Sequence, residues 1–535
     1  MAAVGMGLLS LTSPTILISY HRRHCSDMAL FDIIRTVVWS PTLLLLSSAA
    51  LVLIFVTIHT LYVRRLPANA PAAAHDNYPV TGPWGFWTRR WDWYRSRRDQ
   101  SKTGNFSFHA GPNTIVALTG EEGRKLFFES RELGFAEGYA VLFGVAPATE
   151  KFDDGKGTEE DLSNHFNRRL TYLLKNEQFR RKLSTLTSDT QEAMEAIKND
   201  PSGRTNPFES IYRIVFRLTI RIVGASEIAD NPEILKEALK LFEYIEASTT
   251  ATSIILPKFP SPAVLKRTYG GARLYMMVEK IVKKRAESDE KHDDPLQHML
   301  DQGDRTHKII EFIIGALFAG LLNSGINAAW VLCYLATSPE WRAKVHDEIC
   351  VVAAKHARDP SAPLRHQLDD VPLEAWEADF PVVDLCLKDS IRLNLLGTAF
   401  RKNISGHAIP TGKGMEVIPP NAVVTYATAD AHQDPSIYPN PDVWDPARYL
   451  PGREEDKKSS YAWLGWGVAR HPCLGMRFAK LEQNIITAYF VANFEFKLEN
   501  KAGHKLLSAP KVDQNGHSAC KPKDPPYLRV TPREK

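Results

Sequence analysis

From Thr42 to Val63 the chain runs 22 residues without a formal charge. As a helix that stretch covers about 33 Å, enough to cross a bilayer core. Arg64 and Arg65 follow directly, then the Pro- and Ala-rich stretch Leu66 to His75, an order that suits a stop-transfer flank and a stiff hinge. The pattern predicts an amino-terminal extension over 1–41, a transmembrane helix over 42–63, a hinge over 64–77 and a folded body over 78–535. A cleaved secretory signal is the weaker alternative, because the run is long and begins far from Met1. The earlier segment Ala3 to Tyr20 is also apolar, but Pro14 breaks it and His21-Arg22-Arg23-His24 follows, which leaves a second short span open. Residues 1–27 read as an upstream start choice ahead of a more ordinary anchor opening at Met28.

Beyond residue 76 there is no internal repeat and no low-complexity tract, which predicts a single domain. Trp84 to Asp99 interleaves Trp and Arg and suits a surface beside lipid headgroups; it suits an ordinary amphipathic helix equally well. Alternation over Phe106 to His109 and Thr114 to Leu118, around Gly111-Pro112-Asn113, predicts a hairpin. The longest helix is expected over Thr306 to Thr337, roughly 48 Å, uncharged through the 28 residues from Phe312 to Pro339. Gly320, Asn323, Ser324, Gly325 and Asn327 gather at its middle. They suit a core helix that another group approaches closely better than they suit a second membrane span. Near residue 395 strands and Pro-rich loops take over, the longest loop running from Ile418 to Leu464, and a last helix begins near Leu474. The expected fold class is mainly α with small β-sheets.

Composition narrows the class of function. An apolar content of 44% with 24% charge argues for a large buried core and against disorder. Lys and Arg number 66 against 62 Asp and Glu, a net charge of +4 that is too balanced for a nucleic-acid partner. The 6 Cys form no CxxC pair, which sets aside a zinc ribbon and an extracellular disulfide framework and favours a reducing compartment.

The chemistry concentrates around Cys473. Trp463 to Gln483 places Gly465, Gly467 and Gly475 about this residue, with Leu474, Phe478, Leu481, Ile485 and Tyr489 at helical spacing behind it. A Cys at a helix amino terminus meets unpaired N–H groups and a favourable dipole, both of which stabilise a thiolate. The glycines permit close approach of a flat ligand, and Arg470 and His471 offer positive donors. Taken alone, a single Cys is more commonly a small buried apolar side chain than a ligand.

Trp466, Gly467, Ala469, His471, Cys473 and Gly475 stand at the offsets of the cysteine loop of the cytochrome P-450 family, which this chain resembles from about Tyr78 to Val530. Trp466 replaces the usual Phe and Ala469 the usual second Gly. Asp389 and Arg392, at i and i+3 of an apolar helix, resemble the family's Glu-x-x-Arg pair, and Trp444 to Tyr449 resembles the segment whose Arg, here Arg448, completes a buried lock. The segments Leu256 to Pro262 and Gly475 to Gln483 look most like fungal members near sterol 14-demethylases.

The resemblance implies haem b with Cys473 as axial thiolate, and His471, Arg401, Arg169 and Gly467 as contacts to the cofactor. It implies oxidation of a hydrophobic small molecule, of a secondary-metabolite type such as a terpenoid or polyketide. The oxidant is O2, with electrons from an NADPH-cytochrome P-450 reductase, since the chain has no flavin or dinucleotide fingerprint. It also implies a single-pass protein of the endoplasmic reticulum membrane with its catalytic domain in the cytosol.

Where the family carries an acid and a Thr in the central helix, this chain has Leu322 and Asn323, followed by Ser324. Leu322 cannot relay a proton, so Asn323, anchoring a water, and Ser324 are the catalytic candidates. The competing reading for these two is that they only bond carbonyls of their own helix. The expected pocket is lined by Phe318, Leu321, Leu322, Leu395, Leu396, Thr398 and Phe400, with His517 as a polar contact from the turn Asp513 to Ala519. Two other functions compete: a haem-thiolate isomerase or dehydratase acting on a peroxide, and a non-catalytic membrane-tethered binding protein.

Overall fold

The computed structural model describes residues 41–62, 66–78, 81–111, 113–143, 151–153, 159–247, 250–251, 255, 261–288 and 291–533. The apolar segment Ala3 to Tyr20, the start choice at residues 1–27, the flanking Arg64 and Arg65 and most of Leu256 to Pro262 lie outside them. Contacts divide the chain into two units, Met1–Arg65 and Leu66–Lys535. In the first, helix α1 occupies Pro41–Tyr62, and Leu45, Leu46, Leu51 and Leu53 along it are exposed. Its apolar part is Leu44–Phe55. Among the described residues the one helix long and apolar enough to cross a membrane is Thr306–Thr337, and 56% of its apolar window is buried inside the protein. That burial is the signature of a core helix rather than a span.

The second unit is helical with small sheets, as the sequence pattern predicts. Helix α2 (Arg90–Gln100) precedes strands β1 (Phe106–Ala110) and β2 (Asn113–Leu118), which form the expected antiparallel hairpin with Phe106 opposite Ala117. The short strand β3 (Leu133–Gly134), helix α3 (Phe135–Phe143) and helix α4 (Leu162–Leu173) follow, then α5 (Pro207–Val223). Asn206 caps α5 by accepting from the Phe208 amide, and Pro207 stands at its first turn, where a missing N–H costs nothing.

The central helix α6 keeps the predicted bounds, Thr306–Thr337, and α7 spans Pro381–Asn394. Strands β4 (Thr398–Asn403) and β5 (Val423–Ala427) complete a five-stranded sheet of order β1-β2-β5-β4-β3, with β5 parallel to β2 and antiparallel to β4. Helix α8 (Met476–Asn493) then leads into β6 (Phe494–Glu499), which pairs with β7 (Tyr527–Pro532).

The small residues at the middle of α6 divide by role. A Cβ on Gly325 would lie 2.5 Å from Cδ2 of Tyr212 on α5, so this glycine admits the neighbouring helix. At Gly320 the nearest atom is the Thr219 methyl at 3.9 Å, and the backbone there is open. The Trp-rich stretch takes the amphipathic reading rather than the lipid-facing one. Trp87, Trp91, Trp93 and Tyr94 are buried in a core with Phe106 and Phe108, and only Trp84 of the group is strongly exposed. Trp93 meets Phe106 and Phe108 edge-on at 5.4 and 5.0 Å, the geometry that the ring quadrupoles favour.

Candidate functional site

Cys473 lies two residues before the α8 N-cap, Gly475, and thus just outside the helix rather than within its first turn. Its amide donates to the Trp466 carbonyl at 2.7 Å, and the Gly467 amide donates to Leu464 at 3.0 Å, so the loop closes on itself. Gly467 has φ +69°, and a Cβ there would collide with the His471 carbonyl oxygen; no other residue type fits. Ala469 also takes the left-handed region, φ +53°, at the position where the loop resemblance expects glycine.

The residue Cys473 as a whole is exposed, yet the packing about its sulfur is dense enough that burial pushes the thiol upward. The backbone N–H groups of Gly475 and Met476 beside the sulfur pull the other way, while the Met476 amide itself donates to the Cys473 carbonyl at 3.3 Å. Burial thus outweighs the helix-end stabilisation expected for this thiolate, and a coordinated metal would favour the thiolate form.

Arg401 on β4 is buried, and its one side-chain hydrogen bond goes from Nη1 to the Phe400 carbonyl at 2.8 Å. No carboxylate pairs with it among the described residues. Its guanidinium lies over the rings of Phe135 and Phe127, 4.6 and 5.0 Å from their centroids, and burial lowers its pKa to about 10. His471 stacks on the same Phe135 ring at 5.0 Å. Burial first, then the charges of Arg401 and Arg470, lowers the His471 pKa, so it is a neutral donor and not the positive one expected.

Arg169 departs from its expected role. On α4 it makes a fork-to-fork pair with Asp304, both bonds at 2.7 Å, and His165 lies 3.3 Å from the same carboxylate. Its charge is already matched by a protein group.

The expected lock exists in altered form. Arg392 Nε donates to Asp389 Oδ1 at 2.7 Å, and both side chains are buried. Arg448 approaches Asp389 only to 3.9 Å and pairs instead with Glu455 at 2.7 Å, while donating to the carbonyls of Pro439, Asn440 and Val443. Asp389 is completed by the Tyr449 hydroxyl at 2.9 Å and the Asp445 amide at 2.6 Å. The lock ties α7 to the segment ahead of the cysteine loop.

On α6, Ala319 and Asn323 are exposed in the middle of an otherwise buried helix, and being four residues apart they share one face. Asn323 makes no side-chain hydrogen bond among the described residues. Ser324 lies near Glu482 of α8, a fully buried carboxyl that burial raises to about 8 against the pull of the Ser324 hydroxyl. Neither side chain bonds its own helix, as the competing reading required.

Leu321 leaves the pocket list. It sits about 200° round the helix from both Ala319 and Asn323, and it is fully buried in the core. Phe400 likewise belongs to the core beneath the five-stranded sheet. Phe318 and Leu322 are partly buried, with Phe318 edge-on to Phe242 at 6.3 Å. Leu396 packs under the turn at Gly516. Thr398 lies 3.5 Å from Nη1 of Arg90, and His517 bonds the Trp87 carbonyl at 3.0 Å. Sequence reasoning missed Glu482 and Arg90: the first looked like one more residue of the last helix, and the second was lost among the arginines of a Trp-rich stretch.

These residues fit an iron porphyrin. A cysteine on a tight glycine loop just ahead of a helix suits an iron ligand, and a buried arginine with no carboxylate partner among the described residues suits a propionate. Gly475, where an added Cβ would meet nothing within 4 Å, leaves room beside the sulfur for a flat ring. The family profile described as Cytochrome P450 matches residues 106–516. The cytochrome P450 monooxygenase AacuE of Aspergillus aculeatus is 37% identical over 81% of this chain and 88% of its own length. The monooxygenase nsrP of Aspergillus novofumigatus is 35% identical over 89% and 93%. The fold is also that of a solved cyanobacterial structure, retinoic acid bound CYP120A1, with a TM-score of 0.65 at 18% identity over 88% of this chain and 100% of that one. Family members hold haem through an axial cysteine thiolate, and with the profile and both relatives spanning most of its length, this chain belongs to the cytochrome P450 family as a monooxygenase.

Proposed function

We propose that the protein is a membrane-anchored monooxygenase that oxidises a hydrophobic small molecule of the secondary-metabolite kind, such as a terpenoid or polyketide. Electrons come from NADPH-cytochrome P-450 reductase. Helix α1 is its single anchor in the endoplasmic reticulum membrane, and the body faces the cytosol. The observation that carries this reading is the conjunction of Cys473 on a glycine loop closed by the Cys473–Trp466 and Gly467–Leu464 backbone hydrogen bonds and Arg401, a buried cation with no carboxylate partner among the described residues. Cys473 would hold the haem iron through its sulfur, and Arg401 and His471 would hold a propionate. Gly467 keeps the loop tight.

Bound haem supplies the activation of O2 that puts one oxygen atom into the substrate and one into water. The chain's own contribution is proton placement. The Asn323 Nδ2 orients a water at the open face of α6, in place of the hydroxyl usual there. Ser324 Oγ stands near the Glu482 carboxyl, which with a pKa raised to about 8 keeps its proton at neutral pH and stands in for the acid absent at Leu322. Phe318, Leu322, Leu396 and Thr398 exclude water from the reacting carbon.

Leu322 at the acid position favours one competing activity, rearrangement or dehydration of a peroxide. Oxygen uptake by the full chain with reductase and NADPH, in the presence of compounds that shift its Soret band, separates the two. We expect O2 consumption coupled to an oxygenated product, with Asn323→Ala raising O2 use per product. Rearrangement of a hydroperoxide without O2 uptake would overturn the monooxygenase reading, and unchanged coupling in the variant would remove Asn323 from it.

A further inference from the structure

Buried arginines in this protein are matched by acids or by full sets of acceptors. Arg169 has Asp304, Arg285 has Asp294, Arg392 has Asp389 and Arg448 has Glu455. Arg124, without a carboxylate, donates to the Ser460 carbonyl, the Tyr426 hydroxyl and the Ser459 hydroxyl. Arg401 is assigned to a propionate by the function proposed above. Arg90 is left over.

Arg90 is 7% exposed and makes no ion pair among the described residues. Its Nε donates to the Phe86 carbonyl at 3.2 Å, Nη1 reaches Thr398 Oγ1 at a marginal 3.5 Å, and Nη2 has no acceptor among the described residues. The Phe86 ring, 4.3 Å from the guanidinium carbon, covers one face. A buried cation left this way is costly unless something negative arrives.

Its neighbours say where that something comes from. Thr398, from β4, lines the proposed substrate pocket, and His517, from the turn before β7, is the polar contact the sequence led one to expect there. The turn is fastened over Arg90 by two contacts: Asn515 exchanges hydrogen bonds with Asp92 of α2, and His517 bonds the Trp87 carbonyl. The Arg90 charge, after burial, also helps hold the His517 imidazole down to about 4, so the turn adds no second positive charge.

We propose that Arg90 is the anchor for a carboxylate on the substrate, with Thr398 Oγ1 as a second donor, so that the enzyme takes hydrophobic acids in preference to their neutral counterparts. This rests on the monooxygenase reading and deepens it, since it names the substrate class. The bidentate fork of a guanidinium matches two carboxylate oxygens, while a neutral ester leaves Nη2 unpaired.

The test is a Soret-shift titration of the detergent-solubilised full-length holoenzyme, without anionic lipid, using dodecanoic acid against methyl dodecanoate and 2-naphthoic acid against methyl 2-naphthoate. At least one acid should bind about ten-fold tighter than its ester, and Arg90→Gln should bring that ratio to about one, with Arg90→Lys recovering part of it. The reduced, CO-treated spectrum of each variant checks its fold. If Arg90→Gln loses that band, the wild-type ratio and Arg90→Lys decide. Equal affinity for acid and ester in both pairs, or a preference that survives Arg90→Gln, would overturn the carboxylate anchor while leaving the haem-thiolate reading intact. Loss of the thiolate-type band in the wild type would instead strike the reading beneath it.

Discussion

Ala469 shows how far a single side chain can depart from a local rule and still be housed. At φ +53° its Cβ crowds the following carbonyl, a strain of about 1–2 kcal/mol that glycine does not carry. Ala469→Gly should therefore raise the unfolding free energy by about 1 kcal/mol, seen as a higher Tm with the haem spectrum unchanged.

Glu482 sets a different expectation. Its carboxyl is raised from 4.5 to about 8 by burial, so the fold prefers the protonated form. The stability tied to that proton is whole below 4.5 and drains as pH rises to about 8, at no more than about 1.4 kcal/mol per pH unit. Glu482→Gln should flatten this decline when denaturant midpoints are compared across that window; a decline that persists would place the titrating group elsewhere. Cys473 and Gly467 were legible in the sequence because their constraints lie within one loop. Glu482 and Arg90 were not, because what makes them unusual is the removal of water by segments distant in the chain.

At the scale of elements, the α7 lock joins the core helices to the cysteine loop. Removing one partner from a buried, fully bonded ion pair leaves the other charge stranded, at about 3–5 kcal/mol. Arg392→Ala should thus abolish folded holoenzyme at ordinary growth temperature, measured as loss of soluble haem-containing protein, whereas exposed pairs such as Arg180 with Glu374 should tolerate Ala. Asp389, Arg392 and Arg448 were readable only through resemblance to the family's segments, since the i, i+3 spacing by itself merely sets the first two on one helix face. The partners Glu455 and Tyr449 depended on the path of an irregular segment, which no periodicity announces. The hairpin β1–β2 and the bounds of α6 were readable for the opposite reason, since both have long regular patterns. The aromatic stretch before β1 was ambiguous because amphipathic spacing says that a face is buried and not what covers it; here it is Phe106 and Phe108.

For the molecule as a whole, the sequence pattern separated an apolar amino-terminal helix from a folded body, and α1 at Pro41–Tyr62 falls within one residue of the expected 42–63. The two apolar helices were told apart by what interrupts them. The small and polar residues in the middle of α6 mark a helix packed by α5 on one side and open at Ala319 and Asn323 on another. That open face, the cysteine loop and the buried Arg401 make sense together only around a thiolate-ligated porphyrin. The measurement that tests this most directly is the reduced, CO-treated absorption spectrum of the full chain beside Cys473→Ala. The wild type should give the red-shifted, thiolate-type Soret band and the variant should lack it. A band at the position of an imidazole-ligated haem in the wild type, or an unchanged band in the variant, would contradict the account.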